Sequence, residues 1–368
     1  MKYYIIAGEA SGDLHASNLI KELKARDYAA SFRCWGGDLM QQQGATLVKH
    51  YRDLAFMGFV EVLLNIKTIL KNLAFCKEDI LANKPDVLIL VDYPGFNLKI
   101  AAWAKKNGIK VFYYISPQIW AWKQNRVHQI KRNVDKMFVI LPFEKAFYTK
   151  FNVDVDFVGH PLLDAIANRT KTPFEAFCAQ NNLPNKPIIA LLPGSRKQER
   201  HTMLPIMLSV IEQFPDYQFV VAGAPSQDTS FYQNYLSKNT SLIENKTYSL
   251  LEHATAALVT SGTATLETAL FNVPQIVCYK GNAISFQIAK AVIKVGYISL
   301  VNLIADKELV KELIQKELNT KNLKQELAKL LEPNHKNKLL QEYYELQQKL
   351  GGVGASARAA ELMLGYLK

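Results

Sequence analysis

The chain has 368 residues, 49% hydrophobic and 21% charged, which is the make-up of a soluble globular protein and excludes a disordered one. Its length exceeds one comfortable α/β core, so two domains are expected. Forty-four Lys and Arg against 33 Asp and Glu give a formal charge of +11 that favours anionic partners, yet no dense basic stripe or stacking-aromatic module marks a nucleic-acid binder.

Short apolar runs rich in β-formers alternate with helical patterns, which predicts a parallel α/β architecture. Strands are predicted near 3–7, 32–35, 86–92, 110–115, 136–140 and 156–158, with helices at 14–24, 60–81, 96–107 and 143–151. The second half repeats the design, with strands near 187–192, 218–222, 256–259 and 274–278 and helices at 198–213, 262–271 and 284–295. Pro161, Pro173 and Pro184 lie among polar connectors and mark a boundary between the halves. From Asp306 onward the tail reads as almost wholly helical, broken at Pro333 and at Gly351-Gly352. The expected domains are therefore 1–165, 186–340, and helices over 341–368 that brace the domains or a partner subunit.

Cys34, Cys76, Cys178 and Cys278 form no C-x-x-C pair, which fits a reduced, cytoplasmic compartment. The apolar run before Gly8 is too short for a signal peptide, and no uncharged stretch approaches the ~20 residues of a membrane span. The histidines show no H-E-x-x-H or similar spacing, so no metal is expected.

Parallel sheets bind ligands at the carboxyl ends of their strands, and several motifs fall there. Gly8-Glu9-Ala10-Ser11-Gly12-Asp13 follows the first strand and opens a helix, an arrangement that aims free N–H groups and the helix dipole at an anion. Pro193-Gly194-Ser195-Arg196 repeats the design and adds a guanidinium able to clamp a phosphate. Ser261, Gly262 and Thr263 offer hydroxyls and N–H groups at a third helix start, with Glu267 one turn in to accept ribose hydroxyls. The alternative for the second is an ordinary strand-to-helix turn with a surface Arg, and for the third an N-capped helix with Glu in its first turn.

Asp92 closes the wholly apolar run Val87-Leu88-Ile89-Leu90-Val91, where desolvation raises a carboxyl toward the range of a general base. The alternative is a cap on the helix beginning near Phe96. Ser116–Trp122 places two Trp residues in a loop, against a sugar or acyl chain or in the core. His15 and His160 fall near strand ends, either as ligand contacts or as local hydrogen-bonding residues.

A helix expected over residues 56–75 buries a stripe of Phe59, Leu63, Ile66, Leu70 and Leu73. A second apolar set, Met57, Val60 and Leu64, lies on another face beside Lys67 and Lys71. That face suits docking on an anionic bilayer, a subunit contact, or burial on both sides.

In this order the motifs resemble the lipid-A-disaccharide synthase family. The likeness runs from Ala7–Asp13 through Met57-Gly58-Phe59-Val60-Glu61-Val62, Asp92-Tyr93-Pro94, Ser116–Trp122 and Leu141-Pro142-Phe143-Glu144. It continues with Val158-Gly159-His160-Pro161, Leu192–Arg196, Ser261–Glu267, Val301-Asn302-Leu303 and Gly354–Glu361. The resemblance implies a GT-B glycosyltransferase, two Rossmann-like domains with parallel sheets facing across a cleft, and no cofactor. It implies inverting transfer of 2,3-diacylglucosamine from UDP to the 6-hydroxyl of 2,3-diacylglucosamine 1-phosphate, without a metal. The implied place is the cytoplasmic face of a Gram-negative inner membrane, held peripherally, with a homodimer left open.

By the same resemblance Asp92 activates the acceptor hydroxyl and Arg196 stabilises the departing UDP. Gly194, Ser195, Ser261, Gly262, Thr263 and Glu267 hold the nucleotide, and Gly8, Glu9, Ser11, Gly12 and Asp13 line the acceptor phosphate. Gly95 stands where many members carry a second Asp, which leaves Glu9, Asp13 and His15 as reserve bases. Rival readings are a UDP-sugar 2-epimerase, which has no use for an apolar basic rim, and a non-enzymatic membrane-docking protein, which leaves Asp92 without a task. An NAD-dependent dehydrogenase would need a G-x-G-x-x-G after a strand, which this chain lacks.

Overall fold

The computed structural model describes residues 1–54, 66–194, 196–223, 230–237, 239–282, 286 and 296–368. The chain forms two compact units, Met1–Asn168 with Leu350–Lys368, and Arg169–Lys349. The first division falls close to the end of the expected first domain. The second falls inside the expected C-terminal segment, so the chain enters the first unit again at Leu350.

The first unit is a seven-stranded sheet in the order β3-β2-β1-β4-β5-β6-β7, every pair parallel. Its strands are β1 (Lys2–Ala7), β2 (Ser31–Gly36), β3 (Thr46–His50), β4 (Val87–Val91), β5 (Val111–Tyr114), β6 (Lys136–Val139) and β7 (Asp156–Phe157). The central strands are buried on both faces, so β4 reads Val-Leu-Ile-Leu-Val without alternation and all five residues are buried. Parallel strands need crossovers, and the helices Ala10–Arg26, Ile66–Asn83 and Pro94–Lys106 supply them. Order and direction bring the ends of β1 and β4, hence Gly8 and Asp92, to one edge.

The last helix, Ala355–Gly365, packs against Ala10–Arg26 in this same unit. The buried Asp164 carboxylate caps it, accepting N–H groups from Gly354 at 2.6 Å, Ala355 at 3.3 Å and Ser356 at 2.8 Å. Arg358 donates through Nε to the Val158 carbonyl at 2.8 Å and through Nη2 to those of Gly351 and Gly352.

The second unit is a six-stranded parallel sheet in the order β10-β9-β8-β11-β12-β13. Its strands are β8 (Ile188–Leu192), β9 (Gln218–Gly223), β10 (Thr240–Glu244), β11 (Ala254–Thr260), β12 (Gln275–Tyr279) and β13 (Lys311–Ile314). Both sheets thus run outward from a first central strand and reverse direction beside it, the Rossmann-like pattern expected for each half.

Three expectations need correction. The tail is not wholly helical after Asp306, because Lys311–Ile314 forms β13 on the sheet edge. The helix expected at 198–213 ends at Leu208 and is followed by a separate 3-10 turn at Ile211–Gln213. Leu70, assigned to a buried stripe, is 57% exposed; Leu73, Cys76 and Ile80 form the buried side of Ile66–Asn83 instead. The expected helix at 284–295 lies outside the described residues except for Phe286, as do residues 60–65 of the one expected at 60–81.

Candidate active site

In the first unit, β1 delivers the chain to Gly8 and the helix begins at Ala10, with Glu9 extended at its N-cap. Gly12 presses the helix onto the strand: a Cβ there would lie 3.2 Å from the Ala7 Cβ. Ser11 is exposed at the first turn. Asp13 points elsewhere. Its carboxylate accepts N–H groups from Gly37 at 2.8 Å, Leu39 at 3.1 Å and Met40 at 3.1 Å, capping the short helix Asp38–Gln42. It is a scaffold contact, which leaves Gly8 to Gly12 as the part of the expected anion turn not engaged by Asp13's role.

Asp92 lies at the end of β4, half-buried. Burial, then the neighbouring Glu9 carboxylate, push its carboxyl up to about 7. Burial also raises Glu9. The structure therefore brings two sequence-derived candidates, Glu9 and Asp92, into electrostatic contact. Gly95 is exposed with open space around it and supplies no acid.

The Asp92 backbone is strained. Asp92 and Tyr93 have φ of 44° and 47°, consecutive left-handed residues that cost on the order of 1 kcal/mol each without a glycine. The fully buried Asn97 offsets this by donating Nδ2 to the Asp92 carbonyl at 2.8 Å and to that of Val91 at 3.2 Å. The Tyr113 hydroxyl also donates to the Asp92 carbonyl. Sequence reading gave Asn97 and Tyr113 no part; the signal was the Asn five residues after the acid.

Further along this edge, Trp120 is buried and packs edge-on against Phe143 at 4.8 Å, a core role rather than a rim. The buried Glu144 accepts the Ile140 and Leu141 N–H groups at 3.1 and 2.9 Å, and burial pushes its carboxyl up to about 7. The rings of His15 and His160 meet edge to face at 6.5 Å. Burial lowers them to about 4 and about 3, and His160 Nδ1 accepts the Leu162 N–H at 3.2 Å. Both are neutral at physiological pH.

In the second unit, Gly194 follows β8 with φ of 103°, a conformation that favours glycine. Ser195 lies outside the described residues. Arg196 is the N-cap of Lys197–Leu208, its N–H donating to Glu199 Oε2 at 3.2 Å. Its side chain is 77% exposed and, among the described residues, meets Glu199 alone, at 3.2 Å, an exposed pair that lets the guanidinium turn toward a ligand.

Ser261, Gly262 and Thr263 stand at the end of β11, where Thr263 begins the helix Thr263–Leu270. Thr263 is exposed, but the Ser261 hydroxyl is engaged, donating to the Ile298 carbonyl at 2.8 Å. Burial raises the Glu267 carboxyl, which accepts the Tyr248 hydroxyl at 3.1 Å. The loop that receives Ser261 is built by buried Asn302, noted in the sequence only as part of a likeness, and by Glu312, which the sequence did not single out. Asn302 Oδ1 accepts the Leu309 and Val310 N–H groups at 2.8 and 2.9 Å, while its Nδ2 donates to Glu312 at 2.9 Å. Glu312 in turn accepts the Ile298 and Ser299 N–H groups.

Of the apolar face expected near the start of the Ile66–Asn83 helix, Met57, Val60 and Leu64 lie outside the described residues. Lys67 and Lys71 are exposed, as are Leu70 and Phe75 at 57% and 45%. Among the described residues no helix is long and apolar enough to cross a membrane, and no three His, Cys, Asp or Glu side chains gather as metal ligands would.

Residues 3–363 match the lipid-A-disaccharide synthetase family. The chain is 41% identical to the lipid-A-disaccharide synthase of Syntrophus aciditrophicus, with 99% of this chain and 97% of that one covered. It is 38% identical to that of Geobacter metallireducens, with 99% and 96% covered. Among solved structures, the kitacinnamycin glycotransferase gives a TM-score of 0.67 at 16% identity, covering 100% of this chain and 99% of its own. The Methanocaldococcus jannaschii UDP-GlcNAc 2-epimerase, solved with UDP-GlcNAc and UDP, gives 0.66 at 16% identity with both chains fully covered. At that identity the two structures speak for the GT-B fold alone. Near-complete coverage by the family and its members speaks for more: this chain belongs to the lipid-A-disaccharide synthase family, glycosyltransferases of lipid A biosynthesis.

Proposed function

We propose that the chain transfers 2,3-diacylglucosamine from UDP to the 6-hydroxyl of 2,3-diacylglucosamine 1-phosphate, inverting the anomeric centre and releasing UDP. The observation that carries this reading is Asp92, a half-buried carboxyl at a strand end whose proton affinity is raised to about 7. A base of that strength is half ionised near neutral pH and strong enough to draw a proton from a hydroxyl as it attacks.

In this step the acceptor O6 forms a bond to the donor's anomeric carbon, on the face opposite the diphosphate. Asp92 takes the O6 proton, and the carbon–oxygen bond to UDP breaks with its electron pair going to the diphosphate. Glu9 is the second acid at the site, in the place of the carboxylate that Gly95 does not supply. It keeps Asp92 basic by its negative charge. Arg196 and the N–H groups around Gly194 and Ser195 neutralise the departing diphosphate, the part a metal ion plays in other transferases. Gly262, Thr263 and Glu267 complete the nucleotide contacts, with Ser261 fixing the loop beside them. Gly8, Glu9, Ser11 and Gly12 receive the acceptor phosphate at the start of Ala10–Arg26.

Both substrates carry acyl chains, so peripheral attachment to the inner membrane follows, through Lys67 and Lys71 with Met57, Val60 and Leu64. The test is turnover of the two substrates in detergent micelles with EDTA, following disaccharide phosphate and UDP. Product supports the reaction and its metal independence. Activity only on adding magnesium overturns the diphosphate argument. No product under either condition, in folded protein that binds UDP, overturns the reading in favour of another UDP-sugar enzyme.

A further inference from the structure

The Asp92 peptide is held at both its N–H and its carbonyl. Its N–H donates to the Tyr114 carbonyl at 3.1 Å, and its carbonyl accepts from both Asn97 Nδ2 and Tyr113 Oη. Asn97 has 0% exposure, and its amide also reaches the Ile6 carbonyl at 3.4 Å, two residues before Gly8. One buried amide therefore ties the end of β4, which carries Asp92, to the end of β1, which leads into Glu9. No helix cap requires this: Asn97 lies inside Pro94–Lys106, with its own N–H donating to Tyr93 O at 3.0 Å.

We propose that Asn97 and Tyr113 are positioning residues, which lock the Asp92 peptide in its left-handed conformation and so fix the aim of its carboxyl beside Glu9. The inference rests on the reading of Asp92 as the base. Released from these two donors, a residue with φ of 44° relaxes toward the ordinary negative-φ regions. Its carboxyl then swings out of the half-buried place that raises its proton affinity. The titratable groups facing it are Glu9 from the turn after β1 and Tyr113 from β5, with the Arg126 charge also acting on Tyr113. None of these replaces the lost constraint.

The test compares wild type, Asp92→Asn, Tyr113→Phe and Asn97→Leu in the micellar assay, with KM, kcat and the pH dependence of kcat/KM measured for each. Tyr113→Phe deletes one oxygen and is the main probe, so the test survives if Asn97→Leu does not fold. The expected result is a kcat lowered about 10- to 100-fold in Tyr113→Phe, KM within about threefold, and an acid limb moved down by about half a pH unit or more. A structural role alone would lower the yield of folded enzyme and leave the limb in place. Wild-type kcat and limb in Tyr113→Phe, with Asp92→Asn inactive, overturn the positioning role only. Near-normal turnover in Asp92→Asn overturns the base itself.

Discussion

The Tyr93 ring lies flat over Gly8: a Cβ added at Gly8 would come within 2.3 Å of the ring's Cγ and Cδ1. Tyr93 is fixed there by its left-handed backbone, by stacking on Phe96 at 5.7 Å, and by its hydroxyl, which donates to the Leu54 carbonyl at 3.2 Å. Gly8 is thus required by a neighbouring side chain, beyond any need for a bare N–H at an anion turn. Gly8→Ala should destabilise the protein by roughly 1–3 kcal/mol, the scale of overpacking a tight contact. Adding Tyr93→Ala should recover most of that loss in a denaturant melt. A Gly8→Ala protein as stable as wild type would show that the ring yields freely.

Asp13 separates fold from chemistry in the same turn. With three backbone N–H groups on one carboxylate and 3% exposure, Asp13→Ala leaves buried donors unpaired. The expected cost is roughly 2–4 kcal/mol, with kcat of the folded fraction near wild type. A stable Asp13→Ala enzyme with a large loss of kcat would return Asp13 to the reacting centre.

These contrasts show what the sequence made legible. Continuous apolar runs such as those of β4 and β8 announce strands buried on both faces, which makes them readable from the sequence. The strands that sequence reading missed, β3, β10 and β13, all lie at sheet edges, where one side meets water and polar residues such as Lys311 and Glu312 break the pattern. The same holds for the site. Asp92 and Arg196 stand out because an acid after an apolar strand and a base after a glycine turn are local signals. Asn97, Tyr113 and Glu312 act through partners 5 to 21 residues distant, or on another strand, and only the folded register brings them together.

Glu144 gives a pH prediction with a definite sign. Its folded carboxyl titrates at about 7, above the ordinary unfolded range near 4, so the native state binds the proton more tightly. Its contribution is fully present below about pH 4 and is lost as the pH rises toward 7. His15 and His160, lowered to about 4 and about 3, act the opposite way and lose their contribution as the pH falls below about 6.5. Glu144→Gln removes only the first effect. Wild type should therefore lose ground to this variant between pH 5 and pH 8, by on the order of 1–3 kcal/mol in melts at the two pH values. A difference that stays constant with pH would mean that the buried carboxyl does not titrate in this window.

The helix Ile66–Asn83 offers the clearest test of membrane attachment within the described residues. Its inner side is held by Leu73, Cys76 and Ile80, and by Asp79, which accepts the Arg33 guanidinium at 2.6 and 2.8 Å and the Tyr4 hydroxyl at 2.6 Å. Lys67, Leu70, Lys71 and Ala74 follow at helical spacing on the opposite side, all exposed, while Phe75 at their margin meets the buried Trp35 ring at 5.8 Å. Two cations flanking the exposed Leu70 suit the headgroup level of an anionic bilayer. Each Lys contributes about 1 kcal/mol near such a surface, and a buried Leu about 1.5–3. Leu70→Glu with Lys71→Glu should therefore cut sedimentation with phosphatidylglycerol vesicles at least about tenfold, and raised salt should weaken wild-type pelleting. The inner side is untouched, so melting and UDP binding should stay near wild type. Unchanged pelleting of the double variant, in low salt and in high, would place the membrane contact on another part of the chain.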